Sequence, residues 1–169
     1  MTINQTTKPP LAFHWGYIIL PLVILFLSII VTIYFYHLLP AEVAFHFKAD
    51  GSPARWQNRG VIILIVILPQ LFLTLLAWIV TWGTIMAIQF RGPENSWIRL
   101  ESVLLLMGNM IALPQTIFFF AMLDIFSYNS YQIHLIPLWL FALIVMGLGS
   151  IILGISFARA MWQASGATQ

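Results

Sequence analysis

Four long runs of apolar residues, separated by short polar stretches, set the pattern of the chain. The runs cover residues 16–39, 61–90, 102–123 and 133–158. A helix needs roughly 20 mostly apolar residues to cross a bilayer, and none of the runs alternates in the way that barrel strands do. The pattern therefore predicts an all-α integral membrane protein, a four-transmembrane-helix bundle that forms a single membrane domain over residues 1–169.

The polar stretch between the first two runs, residues 40–60, has the pattern of a folded cap. From Glu42 to Lys48 apolar and polar residues alternate, which predicts an extended segment with one wet face. The sequence Asp-Gly-Ser-Pro that follows predicts a tight turn, because glycine tolerates positive φ and proline fixes φ. Tryptophan and arginine, which favour membrane interfaces, come next. We therefore predict a structured extracytoplasmic loop in which His46 and Trp56 are anchors facing the bundle.

Composition supports a membrane environment and narrows the chemistry. Hydrophobic residues make up 61% of the chain, charged residues 7%, and the mean hydropathy is +0.95. Soluble domains carry about 25% charged residues, so most of this surface must face lipid. The net charge of +2 gives no indication of nucleic acid binding. Because the chain has no cysteine, disulfides, thiolate metal sites and covalent c-type haem are excluded.

The distribution of basic residues predicts how the spans are oriented. An even number of spans puts both termini on one side of the membrane. That side carries four basic residues against three on the other, namely Lys8, Arg91, Arg99 and Arg159 against Lys48, Arg55 and Arg59. Positive charge accumulates on the cytoplasmic side. We therefore predict a multi-pass protein of the cell membrane with cytoplasmic termini and the loop 40–60 outside.

The loop also resembles a known family. Its sequence LPAEVAFHFKADGSPARW is similar to the domain of unknown function at the N-terminus of SdpI-like membrane proteins, immunity factors against a sporulation-delaying toxin. The positions that match in order are Leu39, Pro40, Val43, His46, Phe47, Gly51, Pro53 and Trp56. A second signature of SdpI-like proteins is an Arg-Thr pair followed by a tryptophan; here Arg91 and Trp97 are present and the threonine is not. The resemblance implies a bacterial protein, a loop on the outer face and a binding or immunity-type role.

Histidines near the predicted outer face are candidates for a metal site. His37 ends the first run, His134 begins the fourth, and His46 and Asp124 are expected on the same side. Two histidines with a carboxylate fit zinc or a similar ion, and two histidines on facing helices fit a b-type haem. The alternative is that each is an interfacial histidine with local hydrogen bonds. No ligand spacing is diagnostic, so we predict no cofactor.

Inside the membrane, the tripeptide Leu-Pro-Gln occurs twice, at residues 68–70 and 113–115. Proline frees a carbonyl one turn back, and lipid penalises the glutamine amide, so Gln70 and Gln115 should face the bundle. Asn109 lies on a different part of the same predicted helix as Gln115. These residues predict either a polar pocket between kinked helices or hydrogen bonds that fix helix packing.

Small residues spaced four apart predict faces on which helices approach closely. They occur on three spans, as Ser150, Gly154 and Ala158, as Gly83 and Ala87, and as Gly108 and Ala112. Most such faces are expected to pack within the bundle. Contact with another protein remains an alternative for the fourth span.

No catalytic motif is present in the sequence: it has no glycine-rich phosphate loop, no His-Glu-x-x-His and no Gly-x-Ser-x-Gly. We therefore predict a non-enzymatic protein in contact with lipid. One hypothesis is an interaction protein whose cap binds a partner through Pro40, His46, Phe47, Gly51, Pro53, Arg55 and Trp56. A second is an accessory subunit of a larger membrane complex, or a protein that associates with itself. The third is a metal- or haem-binding protein that uses the outer histidines.

Overall fold

The computed structural model describes residues 12–48, 51–91 and 97–165, which form a helical bundle with a two-stranded hairpin at one end. The elements in chain order are α1 (Ile19–Tyr36, after a 3₁₀ turn at Trp15–Ile18), β1 (Glu42–Phe47), β2 (Pro53–Asn58), α2 (Arg59–Arg91), α3 (Trp97–Met110), α4 (Ala112–Tyr131) and α5 (Leu138–Ser165). Within the described residues, four helical segments are long and apolar enough to cross a membrane: Trp15–Tyr36, Arg59–Phe90, Val103–Tyr131 and Leu138–Ser156. The predicted four-span helical architecture is confirmed. Lys8, which entered the charge comparison, lies outside the described residues.

The third crossing is longer than predicted and is interrupted by one residue. It consists of α3 and α4, which meet at Ile111. Pro114 explains the break, because it has no N–H for the carbonyl of Met110 and its ring crowds that carbonyl. The predicted end at residue 123 is wrong, since α4 continues to Tyr131. Asp124, the first residue after the predicted run, lies within the helix.

A left-handed residue ends α4. Gln132 has a φ of 59°, and its N–H donates to the carbonyl of Tyr128 at 2.8 Å. This is the usual closure of a helix C-terminus. The next helix begins at Leu138, so the predicted start at residue 133 is also wrong, and His134 lies in the connection instead of on a helix.

Two apolar clusters form the core of the bundle. One surrounds the start of α1 and consists of Tyr17, Ile18, Ala77, Ile85 and Leu104. The other lies at the hairpin end and consists of Leu39, Val43, Ile62, Val66, Met122 and Phe126. Val43 belongs to β1 and is fully buried, so the hairpin is packed into the end of the bundle and does not hang free of it.

Only one of the three predicted small-residue faces packs within the bundle. A Cβ at Gly108 would collide with the carbonyl oxygen of Tyr17 and lie 2.7 Å from Oγ1 of Thr81, so α3 approaches the first helix and α2 closely there. A Cβ at Gly83 or Gly154 would meet nothing within 4 Å. The expectation of internal packing is therefore wrong for the faces at residues 83–87 and 150–158.

Helix α5 is the least buried span. In it 6% of the span residues are buried, against 22–28% in the other three. It rests against α4, with the Phe141 ring stacked on Phe120 at 3.9 Å and Gly149 against Leu113. The other face of α5 is exposed along the helix and is apolar, as expected for a helix that faces lipid or another subunit.

Candidate functional site

The candidate site is built around the hairpin, defined as β1, β2 and their turn. Its strands pair antiparallel, with Val43 opposite Gln57 and Ala44 opposite Trp56. Beyond Ala44 the register shifts by one residue and then returns, which leaves Phe45 and Ala54 without direct partners. Such bulges bend a strand locally and increase its twist. The predicted folded cap is therefore confirmed as a bulged β-hairpin.

Asn129 of α4 completes the outer edge of β1. Its Oδ1 accepts from the Ala44 N–H at 2.8 Å, and its Nδ2 donates to the Ala44 carbonyl at 2.8 Å. Nδ2 also donates to the carbonyl of Ile125 at 2.8 Å. One carboxamide thus replaces a neighbouring strand for a residue that is fully buried. Because a buried, unpaired backbone group costs free energy, this contact is what allows β1 to enter the apolar end of the bundle.

Arg59 fixes the base of the hairpin. Its Nη1 donates to the carbonyls of Tyr36 at 3.0 Å and Leu39 at 3.2 Å, and its guanidinium lies 4.4 Å from the centre of the Tyr36 ring. The last carbonyls of α1 have no partner inside the helix, and a cation there also interacts favourably with the helix dipole. One residue at the start of α2 therefore stabilises the end of α1.

The tip of the hairpin lies against His134. The imidazole Nε2 is 3.2 Å from the Gly51 carbonyl oxygen, and Nδ1 is 3.4 Å from Oδ2 of Asp124. The ring stacks on Tyr128 with centroids 4.4 Å apart and meets the edge of Phe47 at 4.6 Å. Both ring nitrogens face acceptors, because a carbonyl and a carboxylate cannot donate. His134 therefore links the tip of the hairpin to α4.

Glycine is required at the turn itself. Gly51 has a φ of +81°, which side chains disfavour. Its N–H donates to the Lys48 carbonyl at 3.0 Å, and the Lys48 N–H donates to the Ser52 carbonyl at 2.9 Å. A Cβ at Gly51 would also lie 3.8 Å from the His134 ring. The turn therefore positions the carbonyl that His134 contacts.

The predicted anchors do not face the bundle. His46 is exposed, and the side chain of Trp56 is 51% exposed. The anchors are instead Val43, Ala44 and Phe47. The alternation in the sequence had already placed His46 on the wet face of the strand, and that signal was correct. Burial of Ala44 follows from its contact with Asn129.

The remaining predicted cap residues divide by exposure. Pro40 and Arg55 are exposed, whereas Pro53 is half-buried at the start of β2. All of β2 after Pro53 is exposed. The hairpin therefore has one strand embedded in the bundle and one strand on its surface.

The structure brings together only two of the four candidate metal ligands. Asp124 and His134 are in contact, whereas His37 is exposed and packs against the Tyr36 ring, and His46 is exposed on the wet face of β1. In the described ranges 12–48, 51–91 and 97–165, no group of three or more His, Asp or Glu side chains is placed to hold a metal ion. The geometry of the described residues therefore shows local hydrogen bonding by His134 alone among these three histidines.

The two intramembrane glutamines meet, as the repeated tripeptide predicted. Gln70 Nε2 donates to the Gln115 carbonyl at 3.3 Å, and Gln115 Nε2 lies 3.4 Å from the Gln70 carbonyl. Gln115 Nε2 also donates to the Pro21 carbonyl at 3.0 Å and to Oγ1 of Thr74 at 3.1 Å. The cluster therefore joins α1, α2 and α4. Both glutamine side chains are fully buried, and neither Oε1 has a hydrogen-bond partner among the described residues.

Asn109 makes a separate contact with the start of the first helix. Its Oδ1 accepts from the Leu20 N–H at 2.9 Å, and its Nδ2 donates to the Gly16 carbonyl at 3.0 Å. Leu20 lies in the first turn, where backbone N–H groups have no partner inside the helix. Asn109 therefore acts as a side-chain cap supplied by α3, and it does not join the glutamines.

Asn129 is the residue of this site that the sequence analysis does not identify. It lies beyond the apolar run 102–123, in the stretch between the third and fourth predicted spans. A usable signal exists nevertheless, since no glycine or proline interrupts residues 115–131. Gln115 and Asn129 are separated by close to four helical turns and so share one face of a continuous helix.

Comparison with known proteins identifies one segment. Residues 23–69 match the family model of DUF1648, a domain of unknown function. The match covers most of α1, the hairpin and the first part of α2, and is less than a third of the 169-residue chain. No curated protein and no solved structure is significantly similar to the chain. The recognised domain therefore contains the hairpin and Arg59, whereas Asn129 and His134 lie outside it.

Proposed function

We propose that this multi-pass membrane protein is a non-enzymatic interaction protein whose hairpin is the docking element for a partner polypeptide. The observation that carries the proposal is the contrast between the two strands. β1 is embedded in the bundle and held by Asn129, whereas β2 is exposed from Ala54 to Asn58. A surface strand on a fixed support can meet a partner without the cost of ordering a flexible loop.

The resemblance to SdpI-like proteins supports a binding or immunity-type role for the same hairpin. In this proposal the termini are cytoplasmic, the hairpin faces the outside of the cell membrane, and the protein is bacterial. The slight excess of basic residues at the termini supports that orientation. A cysteine introduced at Arg55 would be labelled from outside the cell by a membrane-impermeant maleimide; labelling only after lysis would reverse the orientation.

The proposal is tested by affinity purification in mild detergent, with the native mass and protein composition measured on the same sample. One variant changes three exposed β2 side chains, Arg55→Ser, Trp56→Ala and Gln57→Ser. The matched control is Leu148→Ala on the exposed face of α5. We expect the β2 variant alone to lose a stoichiometric partner. If both variants retain the same partners, the hairpin is not the docking element.

An accessory-subunit role is a second candidate, and the exposure of α5 favours it. The small residues Ser150 and Gly154 lie on its exposed surface, where another helix could approach closely. Under this alternative, the Gly154→Leu variant would no longer co-purify with a large assembly, whereas the β2 variant still would. The two purifications therefore separate the candidates.

The proposed function uses no cofactor and no nucleic acid. Elemental analysis and an absorption spectrum of the same purified sample test this part directly. Stoichiometric metal, or the intense Soret absorption of haem near 400 nm, would contradict this part and would make Asp124 and His134 the first candidate ligands.

A further inference from the structure

The outer edge of β2 carries backbone groups that point away from the hairpin. Ala44 directs its N–H and carbonyl to Asn129, away from β2. In an antiparallel pair, opposite residues either both face each other with their backbone groups or both face away. Trp56 stands opposite Ala44, so its N–H and carbonyl are directed to the outer edge of β2. Asn58 lies two residues further along β2, opposite Glu42, so its N–H and carbonyl are also directed to the outer edge.

The two edges of the sheet therefore differ. The β1 edge is completed by Asn129, whereas no described residue forms a hydrogen bond with the outward N–H or carbonyl of Trp56. The sheet has two strands, and the strand that ends at Asn58 is exposed after its first residue. An exposed strand edge is a template for pairing with another extended chain.

The charge of β2 favours an acidic partner. Of the exposed ionisable side chains of the described hairpin, those of Glu42, His46 and Lys48 lie on or directly after β1, and that of Arg55 lies on β2. Arg55 is the charged residue of β2 itself and adjoins Trp56, whose ring is half exposed. An opposite charge directly across a strand pair stabilises it, and like charges destabilise it.

We infer that β2 binds an extended, acidic polypeptide segment by strand addition along its outer edge, with Trp56 supplying the central pair of backbone hydrogen bonds. This inference rests on the proposed function, which it deepens by naming the binding mode and the class of partner. A second copy of the chain fits less well. Antiparallel self-pairing centred on Trp56 places both Arg55 side chains on one face, within the range of diagonal neighbours.

The test uses the full protein in lipid nanodiscs and the capped peptide Thr-Thr-Glu-Val-Glu-Thr as the probe. Hydrogen exchange of the Trp56 amide is measured with and without millimolar peptide. We expect exchange to slow by about fivefold or more, because a new hydrogen bond protects that amide. The Val43 amide, which faces β2 inside the sheet, serves as an internal control and should not change.

Two matched peptides isolate the mechanism. The peptide with lysine in place of both glutamates tests charge, and the peptide N-methylated at alternate residues keeps its side chains but loses the donors that strand addition needs. We expect neither to protect Trp56. Equal protection from the N-methylated peptide, or none from the acidic peptide, would overturn the inference.

Variants of the protein provide the reciprocal test. Trp56→Pro removes the outward N–H at an edge position where proline is tolerated, whereas Trp56→Ala removes the ring and keeps the N–H. We expect peptide affinity to fall at least about tenfold further in the proline variant than in the alanine variant, since donor loss removes a binding hydrogen bond. Equal affinities would contradict strand addition.

The experiments also distinguish an acidic peptide from the other possible occupants of the β2 edge. If Trp56 is protected without peptide and the particle is a dimer that Trp56→Pro separates, the occupant is a second copy. If the Trp56 amide is protected without peptide in nanodiscs but not in detergent, the occupant of the edge is the lipid surface. Either result overturns the inference.

Failure of the inference can be told apart from failure of the proposed function. If the β2 variant loses its partner in the purification described above while the N-methylated peptide still binds, the proposed function stands and strand addition fails. If neither experiment shows binding at β2, both fail.

Discussion

The helices α1, α2 and α4 with the hairpin differ from α5 in how they are held together. Side-chain amides connect the first group: Gln115 bonds α1 and α2, and Asn129 bonds β1. Helix α5 meets α4 through apolar contacts, which include an aromatic stack and a glycine against a leucine. In lipid, apolar contact between helices gains little from exclusion of water, whereas a buried polar group requires a partner. Polar side chains therefore specify the arrangement of the first group, whereas α5 is positioned by apolar packing.

The largest expected effect is at Asn129. Replacing it with alanine leaves the buried N–H and carbonyl of Ala44 without partners, so we expect the free energy of unfolding to fall by about 3 kcal/mol. Asn129→Asp should be comparably harmful, because a carboxylate faces two carbonyls that need donors. Thermal unfolding in detergent measures both, and Gln57→Ala on the exposed strand is the control. Unfolding temperatures equal to that control would show that the hairpin does not depend on α4.

A smaller effect is expected at Gly108. A methyl group there would collide with the backbone of Tyr17, so Gly108→Ala should lower the free energy of unfolding by about 2 kcal/mol. Gly83→Ala and Gly154→Ala are matched controls, because nothing lies within 4 Å of the added carbon. Both should change stability by less than about 0.5 kcal/mol. The same loss in all three would show that the collision with Tyr17 is not what makes Gly108 necessary, since helix propensity favours alanine at every one of these positions.

The glutamine cluster allows a finer comparison. Gln115→Leu removes donors to three acceptors and should cost about 1–2 kcal/mol of unfolding free energy. Gln70→Leu removes one longer bond and should cost roughly 0.5 kcal/mol. Reversible unfolding in mixed micelles resolves this order. The reverse order would indicate that the Oε1 atom of Gln70 has a partner that stabilises the cluster, such as an internal water.

The most local expected effect is at the contact between α4 and α5. Phe120→Ala removes the ring stacked on Phe141, which should lower stability by about 1 kcal/mol. Its effect should be confined to α5, seen as faster hydrogen exchange in residues 138–156 with no change at Ala44. Phe118→Ala, an exposed phenylalanine on the same helix, is the control. Faster exchange at Ala44 would show that α5 supports the hairpin and that the two regions are coupled.

The sequence predicted the parts of this fold that depend on local periodicity. Apolar run lengths identified four spans, and alternation followed by Asp-Gly-Ser-Pro identified the extended limb and turn of the hairpin. Repetition of Leu-Pro-Gln identified the paired glutamines. Each of these signals is local, because it can be read from the residues of a single turn, strand or apolar run.

The parts that the sequence did not predict depend on contacts between distant residues. A charged side chain such as Asp124 ends a span in some proteins and is tolerated within a helix in others, and the choice depends on its neighbours. Here Asp124 accepts from the Leu135 N–H at 2.9 Å and contacts His134, which no local pattern indicates. The partner of β1 was missed for the same reason, because Asn129 and Ala44 are 85 residues apart.

The distance between Ala44 and Asn129 also sets an order of events during synthesis. A ribosome adds about 5–20 residues per second, so the 85 residues between them take about 4–17 s to make. During that interval β2, α2 and α3 are made while the edge of β1 still lacks its neighbour. The DUF1648 segment, residues 23–69, is therefore complete in sequence before it can be complete in structure. Its hairpin keeps one strand edge open until α4 has been synthesised.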